Sequence, residues 1–143
     1  MRENKIYEVK DFAENFDEYF ASEYNLDRLL VADYIPSFEK IKYCNYIIDK
    51  TCYENKRFVM NSAFRSILYP MILIDIYTSI EVNFDNIYEE YDCLEMYGLL
   101  DYLMTNVIPN AEILRFDEIL QCLLNDLYEN NRSAAALQKG RNQ

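Results

Sequence analysis

The stretch AFRSILYPMILIDIYTS, residues 63–79, decides the fold class of this chain. It is apolar nearly all round a helical projection, which is typical of a helix at the centre of a bundle. Asn61 or Ser62, directly before or at its start, is a good N-cap. Pro70 lies inside the stretch, and we expect it to kink the helix because proline lacks an amide hydrogen and crowds the preceding turn.

Two helices are predicted before the central stretch, from apolar residues at three- and four-residue spacing. The first lies near residues 9–23, and its apolar face consists of Phe12, Phe16, Tyr19 and Phe20. Asn25 or Asp27 is then expected to cap a short turn over residues 29–31. The second helix follows Pro36 with Ser37 as its N-cap, without a capping box because Lys40 stands where the glutamate would be. It aligns five apolar residues on one side: Phe38, Ile41, Cys44, Ile48 and Cys52.

Three further helices are predicted after the central stretch. One begins at Asn83 or Asp85, runs through Met96 and ends at Gly98, since glycine readily adopts the left-handed conformation that ends helices. A short helix over residues 99–107 stops before Pro109. Asn110 caps a last long helix that we expect to fade near Asn130, with an apolar stripe of Ile113, Phe116, Ile119, Leu120, Leu123, Leu124 and Leu127.

These patterns predict an all-α protein, a compact single-domain bundle of about five to six helices with a kinked central helix. The length of 143 residues suits one domain. We assign residues 1–131 to this helical domain. Residues 132–143, RSAAALQKGRNQ, carry three basic residues and no acidic ones, and we predict a basic C-terminal tail or a weak helix there.

Missing residue types exclude several classes of function. With two glycines and no histidine, the chain has no phosphate-binding glycine loop and lacks the commonest general base and zinc ligand. No calcium-binding loop and no distinct pair of catalytic carboxylates is present. We therefore expect no enzymatic activity, no cofactor and no metal. The cysteines are isolated, without a metal-binding or disulfide pattern, and are expected to be free thiols: Cys44, Cys52, Cys93 and Cys122.

We expect neither secretion nor a membrane span for this chain. Residues 1–12, MRENKIYEVKDF, are charged where a signal peptide would be apolar. The longest apolar stretch, residues 67–80, is interrupted by Pro70 and Asp75 and is too short to span a bilayer. We expect no contact with a membrane.

Asp75 is the one carboxylate inside the apolar central stretch. A buried carboxylate needs a donor, and Arg57, Arg65 or Arg115 could supply it. A polar stripe that faces solvent is the alternative.

The net charge of −11 is distributed unevenly. Residues 29–65 hold six basic and four acidic residues, whereas residues 66–131 hold only Arg115 against thirteen acidic residues. Asp85, Glu89 and Asp92 share one helix face, where like charges repel by a few tenths of a kcal/mol per pair. We predict a partner-binding acidic face, with a merely solvated surface as the alternative, from six residues: Glu81, Asp85, Glu89, Glu90, Asp92 and Glu95.

The C-terminal segment has the opposite charge and is the second predicted partner-binding surface, with Arg132, Lys139 and Arg141. If copies of the chain associate, the basic segment of one could bind the acidic face of the next, a head-to-tail contact that builds rings. We expect a protein partner or self-association. Direct binding of nucleic acid is not expected, because the sequence pI is about 4.4.

Two stretches resemble a known group of proteins. Residues 59–82, VMNSAFRSILYPMILIDIYTSIEV, and residues 116–133, FDEILQCLLNDLYENNRS, are similar to segments of small uncharacterised all-helical proteins encoded in tailed-phage genomes. The resemblance covers under a third of the chain and brings no defined activity or functional residues. It implies a phage or prophage product made in the bacterial host cytoplasm, with association with the virion as an open possibility.

Two hypotheses follow from that context. The first is a virion structural or assembly component, such as a connector, a tail-completion protein or an assembly chaperone. The second is an acidic host-directed inhibitor that imitates nucleic acid, as some anti-CRISPR proteins do.

Overall fold

The structure, a computed structural model, describes residues 4–21 and 28–141 of the chain. In these ranges the chain forms seven α-helices, and all four strands are only two residues long. The prediction of an all-α fold is confirmed. The helices are α1 (Val9–Glu14), α2 (Phe16–Ala21), α3 (Ser37–Cys52), α4 (Ser62–Tyr77), α5 (Ile87–Met96), α6 (Leu99–Tyr102) and α7 (Asn110–Arg141).

Helix α4 is the centre of the bundle, as the sequence predicts. Its residues 71–75 are all buried. The predicted cap is confirmed, since the Asn61 side chain accepts a hydrogen bond from the Phe64 amide at 2.9 Å. Helices α3 and α5 pack against α4, and α7 packs against α3. Pro70 lies inside α4, and the helix continues through it to Tyr77.

The predicted first helix is two helices, which raises the number of helices above the expected five to six. Helix α1 ends at Asn15, whose backbone amide and side-chain amide both donate to the Asp11 carbonyl, at 3.1 and 3.0 Å. Asparagine competes for helix hydrogen bonds in this way. The predicted end near residue 23 and the caps at Asn25 or Asp27 lie outside the described residues.

Two pairs of short strands were not predicted. Strand β1 (Tyr7–Glu8) pairs in parallel with β4 (Ile80–Glu81), and β2 (Tyr53–Glu54) pairs antiparallel with β3 (Arg57–Phe58). Asn55 and Lys56, at the tip of the second pair, have φ of 51° and 67°. Two successive left-handed residues are typical of a type I′ hairpin turn, so the link between α3 and α4 is a hairpin.

The core-facing side of α3 differs from the prediction. Cys44, Ile48 and Cys52 are buried as expected, but Phe38 is 71% exposed and Ile41 is also exposed. The helix is rotated so that Lys40, Ile47 and Thr51 complete its buried side. The N-cap expected at Ser37 is wrong, because Pro36 precedes the helix without a side-chain cap and Ser37 is its first residue.

The second half of the chain follows the prediction more closely. Asn83 accepts from the Asp85 amide at 3.1 Å and opens a 3₁₀ turn, Phe84–Asn86, that leads into α5. Gly98 follows the end of α5 and has the left-handed φ of 71° that we expected there. The short helix predicted over residues 99–107 is α6 followed by a π-helical turn, Leu103–Val107.

Asn110 is the first residue of helix α7 rather than the cap that precedes it, whereas the start of the helix and its buried or half-buried apolar stripe agree with the prediction. The expected end near Asn130 is wrong, because the helix continues to Arg141. Of the two alternatives for residues 132–143, the helical one describes this segment as far as Arg141. Within the described residues, no helix is both long enough and apolar enough to cross a membrane.

Candidate interaction surfaces

The predicted acidic face is divided between two sides of α5. Asp85, Glu89, Asp92 and Glu95 are exposed. Among the residues whose side chains the structure describes, 4–20 and 28–132, no lysine or arginine lies within ion-pair distance of these four carboxylates. We call them the outer acidic face. Because α5 has no basic residue in its sequence, the repulsion along this face is not relieved within its own helix.

Glu81 and Glu90 are not part of this outer face, and the prediction that all six acids form one surface fails for these two. Both are half-buried, and the Glu90 carboxylate accepts a hydrogen bond from the Asn83 amide. Burial raises the pKa of Glu90, the Asn83 amide opposes this effect, and the carboxylates of Glu8, Asp75 and Glu81 add to it. Glu90 is therefore a local structural acid rather than an exposed contact residue.

Asp75 is buried, and its partner is Lys5 rather than one of the three arginines expected from the sequence. The Lys5 ammonium lies 3.5 Å from Asp75 Oδ1. It also donates to the backbone carbonyls of Asp75, Thr78 and Ile80, which lie at the C-terminal end of α4 and just beyond it. A cation at a helix C-terminus satisfies carbonyls that have no partner within the helix. Asp75 itself accepts from the Val82 amide at 3.0 Å.

A second buried ion pair, between Lys40 and Glu112, was missed by the sequence analysis. The Lys40 ammonium is 2.9 Å from Glu112 Oε1, and the two side chains are 1% and 9% exposed. The same oxygen accepts from the Tyr77 hydroxyl at 2.9 Å and from the Ile35 amide at 2.8 Å. Burial alone would raise the pKa of Glu112, but hydrogen bonds from Lys40, Ile35 and Tyr77 outweigh it and hold the pKa below its usual value.

The sequence contained a pattern that predicts the burial of Lys40. Lys40, Cys44, Ile47 and Thr51 recur at helical spacing, and all four are buried. A lysine on the same helix face as three buried residues is expected to lie in the core with a counter-charge. Its partner, Glu112, lies in the first turn of α7, and no local pattern connects the two positions.

Burial makes the Cys44 thiol a poor nucleophile. Cys44 and Cys52 are buried and free. Burial, followed by the nearby Asp117 carboxylate, raises the pKa of Cys44 to about 12. A thiol with this pKa stays protonated at neutral pH, whereas the thiolate is the reactive form.

The exposed side of α3 carries two aromatic–lysine pairs. Phe38, Lys42, Tyr46 and Lys50 follow one another at four-residue spacing. The Lys42 ammonium is 5.4 Å from the Phe38 ring centroid, and the Lys50 ammonium is 5.7 Å from that of Tyr46. Such cation–π contacts hold a lysine over a ring while its charge remains accessible. We call this side of α3 the lysine–aromatic stripe.

A groove of about 540 Å³ separates this stripe from the 3₁₀ turn before α5. One wall is formed by α3, chiefly Lys42 and Tyr46, and the opposite wall by Phe84. Ile72 and Ile76 of α4 form the floor. The carboxylates of Glu39 and Asp75 also line the groove, so its lining mixes apolar residues with charges of both signs.

The basic C-terminal segment lies on α7. Arg132 is exposed and 3.7 Å from Glu129 of the same helix. Lys139 and Arg141 belong to the last turns of the helix. Leu124 is the last buried residue among the described side chains of α7, and the helix continues about 25 Å beyond it at 1.5 Å per residue.

Among the described residues, no group of three or more Asp, Glu or Cys side chains is arranged to hold a metal ion.

The fold and these surfaces define a class: an all-α bundle with an acidic face and a basic helical segment at different places on its surface. Comparison with protein-family models, curated proteins and solved structures finds no match to this chain.

Proposed function

We propose that this chain is a non-enzymatic protein-interaction module of a phage or prophage, and that it serves as a virion structural or assembly component. A connector, a tail-completion protein and an assembly chaperone are the roles that fit. The observation that carries the proposal is the outer acidic face, whose exposed carboxylates lack an ion-pair partner among the described residues. Complementary charge on a partner would remove the repulsion that this face carries.

The basic segment of α7 supplies one such partner surface. It carries Arg132, Lys139 and Arg141 without an acidic residue, on a helix that extends well past Leu124. A contact between this segment and the acidic face of a second copy joins two different surfaces. Contacts of this kind close into rings when the rotation between copies allows it.

Exposed aromatic residues support an interaction role. Several tyrosines keep half or nearly half of their surface accessible, a composition that is enriched at protein interfaces because tyrosine combines apolar area with a hydroxyl. They are Tyr34, Tyr46, Tyr88, Tyr97 and Tyr128.

The assignment to a phage, and with it production in the bacterial host cytoplasm, rests on the resemblance of residues 59–82 and 116–133 to small phage-encoded helical proteins. The second candidate from that context, an acidic host-directed inhibitor, is favoured by the placement of exposed acids along α5. A series of carboxylates on one helix face could occupy a site built for nucleic-acid phosphates.

The solution mass tests the proposal. Light scattering on the full chain at low and at high salt is compared with a variant whose basic segment is neutral, Arg132→Gln/Lys139→Gln/Arg141→Gln. We expect a salt-sensitive oligomer that this variant dissociates. A chain that is monomeric in every condition, and that competes with nucleic acid for a nuclease, would contradict the assembly role and support the inhibitor.

A further inference from the structure

The hairpin between α3 and α4 carries an excess of positive charge in an acidic chain. Residues 53–65 hold three basic residues, Lys56, Arg57 and Arg65, against one acidic residue, Glu54. The residues that follow, 66–114, contain no lysine or arginine. The hairpin and the start of α4 therefore differ in charge from the sequence that leads into and through α5.

Two of these basic residues lie on one side of the hairpin. Arg57 is opposite Glu54 in the strand pair, and Val59 continues the same register by donating its amide to the Cys52 carbonyl at 2.8 Å. Because side chains alternate along a strand, Arg57 and Val59 point to the same side. Arg65 reaches this side as well, since its Nη1 atom lies 3.9 Å from Cys52 Sγ.

The third basic residue, Lys56, is at the tip of the hairpin. The left-handed φ values of Asn55 and Lys56 define a tight turn. On the other side of the hairpin, the rings of Tyr53 and Phe58 are in contact, with their centroids 5.9 Å apart. The backbone that carries the charges is thus fixed before any partner binds, which lowers the entropy lost on binding.

No carboxylate of the same copy neutralises these charges. Lys56 and Arg57 are exposed and Arg65 is half-buried. Over residues 4–20 and 28–132, whose side chains the structure describes, none of the three forms an ion pair. Arg132 of the α7 segment differs in this respect, because it lies 3.7 Å from Glu129. We call Lys56, Arg57 and Arg65 the basic hairpin surface.

An exposed face of α5 has the complementary composition. Five exposed residues fall within about 120° of the helix circumference at 100° per residue: Tyr88, Glu89, Asp92, Glu95 and Met96. Three of them belong to the outer acidic face. Tyr88 is 56% and Met96 is 78% exposed, and tyrosine and methionine are enriched at protein interfaces. This face therefore combines negative charge with accessible apolar area.

The start of α4 separates the two surfaces within one copy. The ring of Phe64 lies 5.9 Å from the ring of Tyr88 in α5, whereas the next residue, Arg65, contacts Cys52 at the end of α3. Consecutive residues of a helix point about 100° apart. A contact between the basic hairpin surface and the α5 face therefore joins two copies through two different surfaces.

We propose that the basic hairpin surface binds the exposed α5 face of a second copy of this chain. Its three cations meet the carboxylates of Glu89, Asp92 and Glu95, and Val59 provides the apolar contact with Tyr88 and Met96. The inference rests on the proposed assembly function and deepens it, because the hairpin is a second partner for the outer acidic face besides the α7 segment. Exposed ion pairs are individually weak and screened by salt, so the contact is reversible.

Charge reversal on the full chain tests this contact. Lys56→Glu/Arg57→Glu reverses the hairpin, and Glu89→Lys/Asp92→Lys reverses the α5 face. Sedimentation over a range of concentrations at low salt should show self-association of the original chain and, for each variant alone, a dissociation constant raised about tenfold or more, because attraction becomes repulsion. An equimolar mixture of the two variants should associate again, since every hairpin then finds a face of opposite charge.

Matched controls carry the same changes of net charge at other positions. Lys10→Glu/Arg115→Glu is the control for the hairpin variant, and Asp101→Lys/Asp126→Lys is the control for the α5 variant. All four residues are exposed, and neither control should alter the association. Unchanged circular dichroism of each variant shows that unfolding is not the cause of an altered mass.

The outcomes separate this inference from the proposed function. Association that the hairpin variant leaves unchanged, but that the neutral variant of the α7 segment abolishes, overturns the hairpin contact and leaves the assembly role standing. Loss of association in both reversal variants, with recovery in their mixture, supports the contact. A mixture that stays dissociated, or a chain that is monomeric at every concentration, overturns it.

Discussion

Replacing Lys40 with methionine should destabilise the fold strongly while preserving the volume of the side chain. Lys40 is 1% exposed, and its ammonium lies 2.9 Å from Glu112 Oε1. Methionine removes the charge and leaves the Glu112 carboxylate in the core with hydrogen bonds from the Tyr77 hydroxyl and the Ile35 amide. The carbonyl of Ile35, which accepts from Lys40 at 2.6 Å, also loses a donor.

The expected loss of stability follows from the burial of both Lys40 and Glu112. Removing one member of a buried ion pair costs about 3–5 kcal/mol, most of which is the penalty of the remaining buried charge. For a chain of this size, each kcal/mol lowers the melting temperature by roughly 2–4 °C, so Lys40→Met should lower it by about 6–20 °C. The double variant Lys40→Met/Glu112→Gln should lose less than the sum of the single variants, with a coupling energy of about 1–3 kcal/mol.

Urea unfolding followed by circular dichroism measures these differences, with Lys42→Met as the matched control. Lys42 is on the same helix but exposed, so its substitution should change the stability by less than about 0.5 kcal/mol.

The pH dependence provides an independent test. Because the hydrogen bonds to Glu112 lower its pKa in the folded state despite burial, its charge stabilises the fold above the ordinary carboxyl pKa of about 4.3. This contribution is lost as the pH falls through the lower, folded-state value. The difference between the original chain and Glu112→Gln should therefore shrink in acid. A Lys40→Met variant within about 1 kcal/mol of the original chain, with no coupling to Glu112, would refute the reasoning.

Three further substitutions test other parts of the fold. Lys5→Met removes the ammonium next to buried Asp75, and we expect a loss of about 3 kcal/mol or more in urea unfolding. Glu90→Gln should stabilise the fold at pH 7, because burial raises the pKa of this carboxyl and its ionisation is unfavourable. The gain, measured by thermal unfolding, should disappear as the pH falls below the raised value, where Glu90 is protonated. Gly98→Ala places a side chain at φ of 71°, which should cost about 1 kcal/mol, whereas Gly98→Asn should cost less.

For each of these substitutions, one result would contradict the prediction. Unchanged unfolding of Lys5→Met would mean that its ion pair with Asp75 contributes nothing net to stability. A Glu90→Gln variant that is less stable at pH 7 would show that the hydrogen bond to the Asn83 amide outweighs the cost of the charge. Equal stability of Gly98→Ala and the original chain would show that the backbone relaxes there, since a Cβ at this position meets no atom within 4 Å.

The positions of the helices could be predicted from the sequence because the signals are local. The all-apolar stretch that became α4, the Asn61 cap and the left-handed Gly98 each depend on residues within one or two turns. The split between α1 and α2 at Asn15 could not be predicted with the same rules, because an asparagine is tolerated inside many helices and its competing hydrogen bonds decide only in context.

The exposure of the six acidic residues was predicted in part. Asp85, Glu89, Asp92 and Glu95 are exposed together because the charges follow one side of a helix. Glu90 could not be separated from them by sequence, since its half-buried position depends on how the turn before α5 folds back to the Asn83 amide. The groove beside the lysine–aromatic stripe depends on the packing of α3 and α5 against α4.

The sequence by itself therefore determined the class of fold, the order of its main helices and the unequal distribution of charge, since helical periodicity, capping and composition are properties of short segments. Only the tertiary structure decided which charges are buried and with which partners. Lys5 pairs with Asp75, and Lys40 pairs with Glu112. A charge enters a core only where a distant segment supplies its counter-charge and hydrogen bonds, and no spacing within a single helix specifies which segment that is.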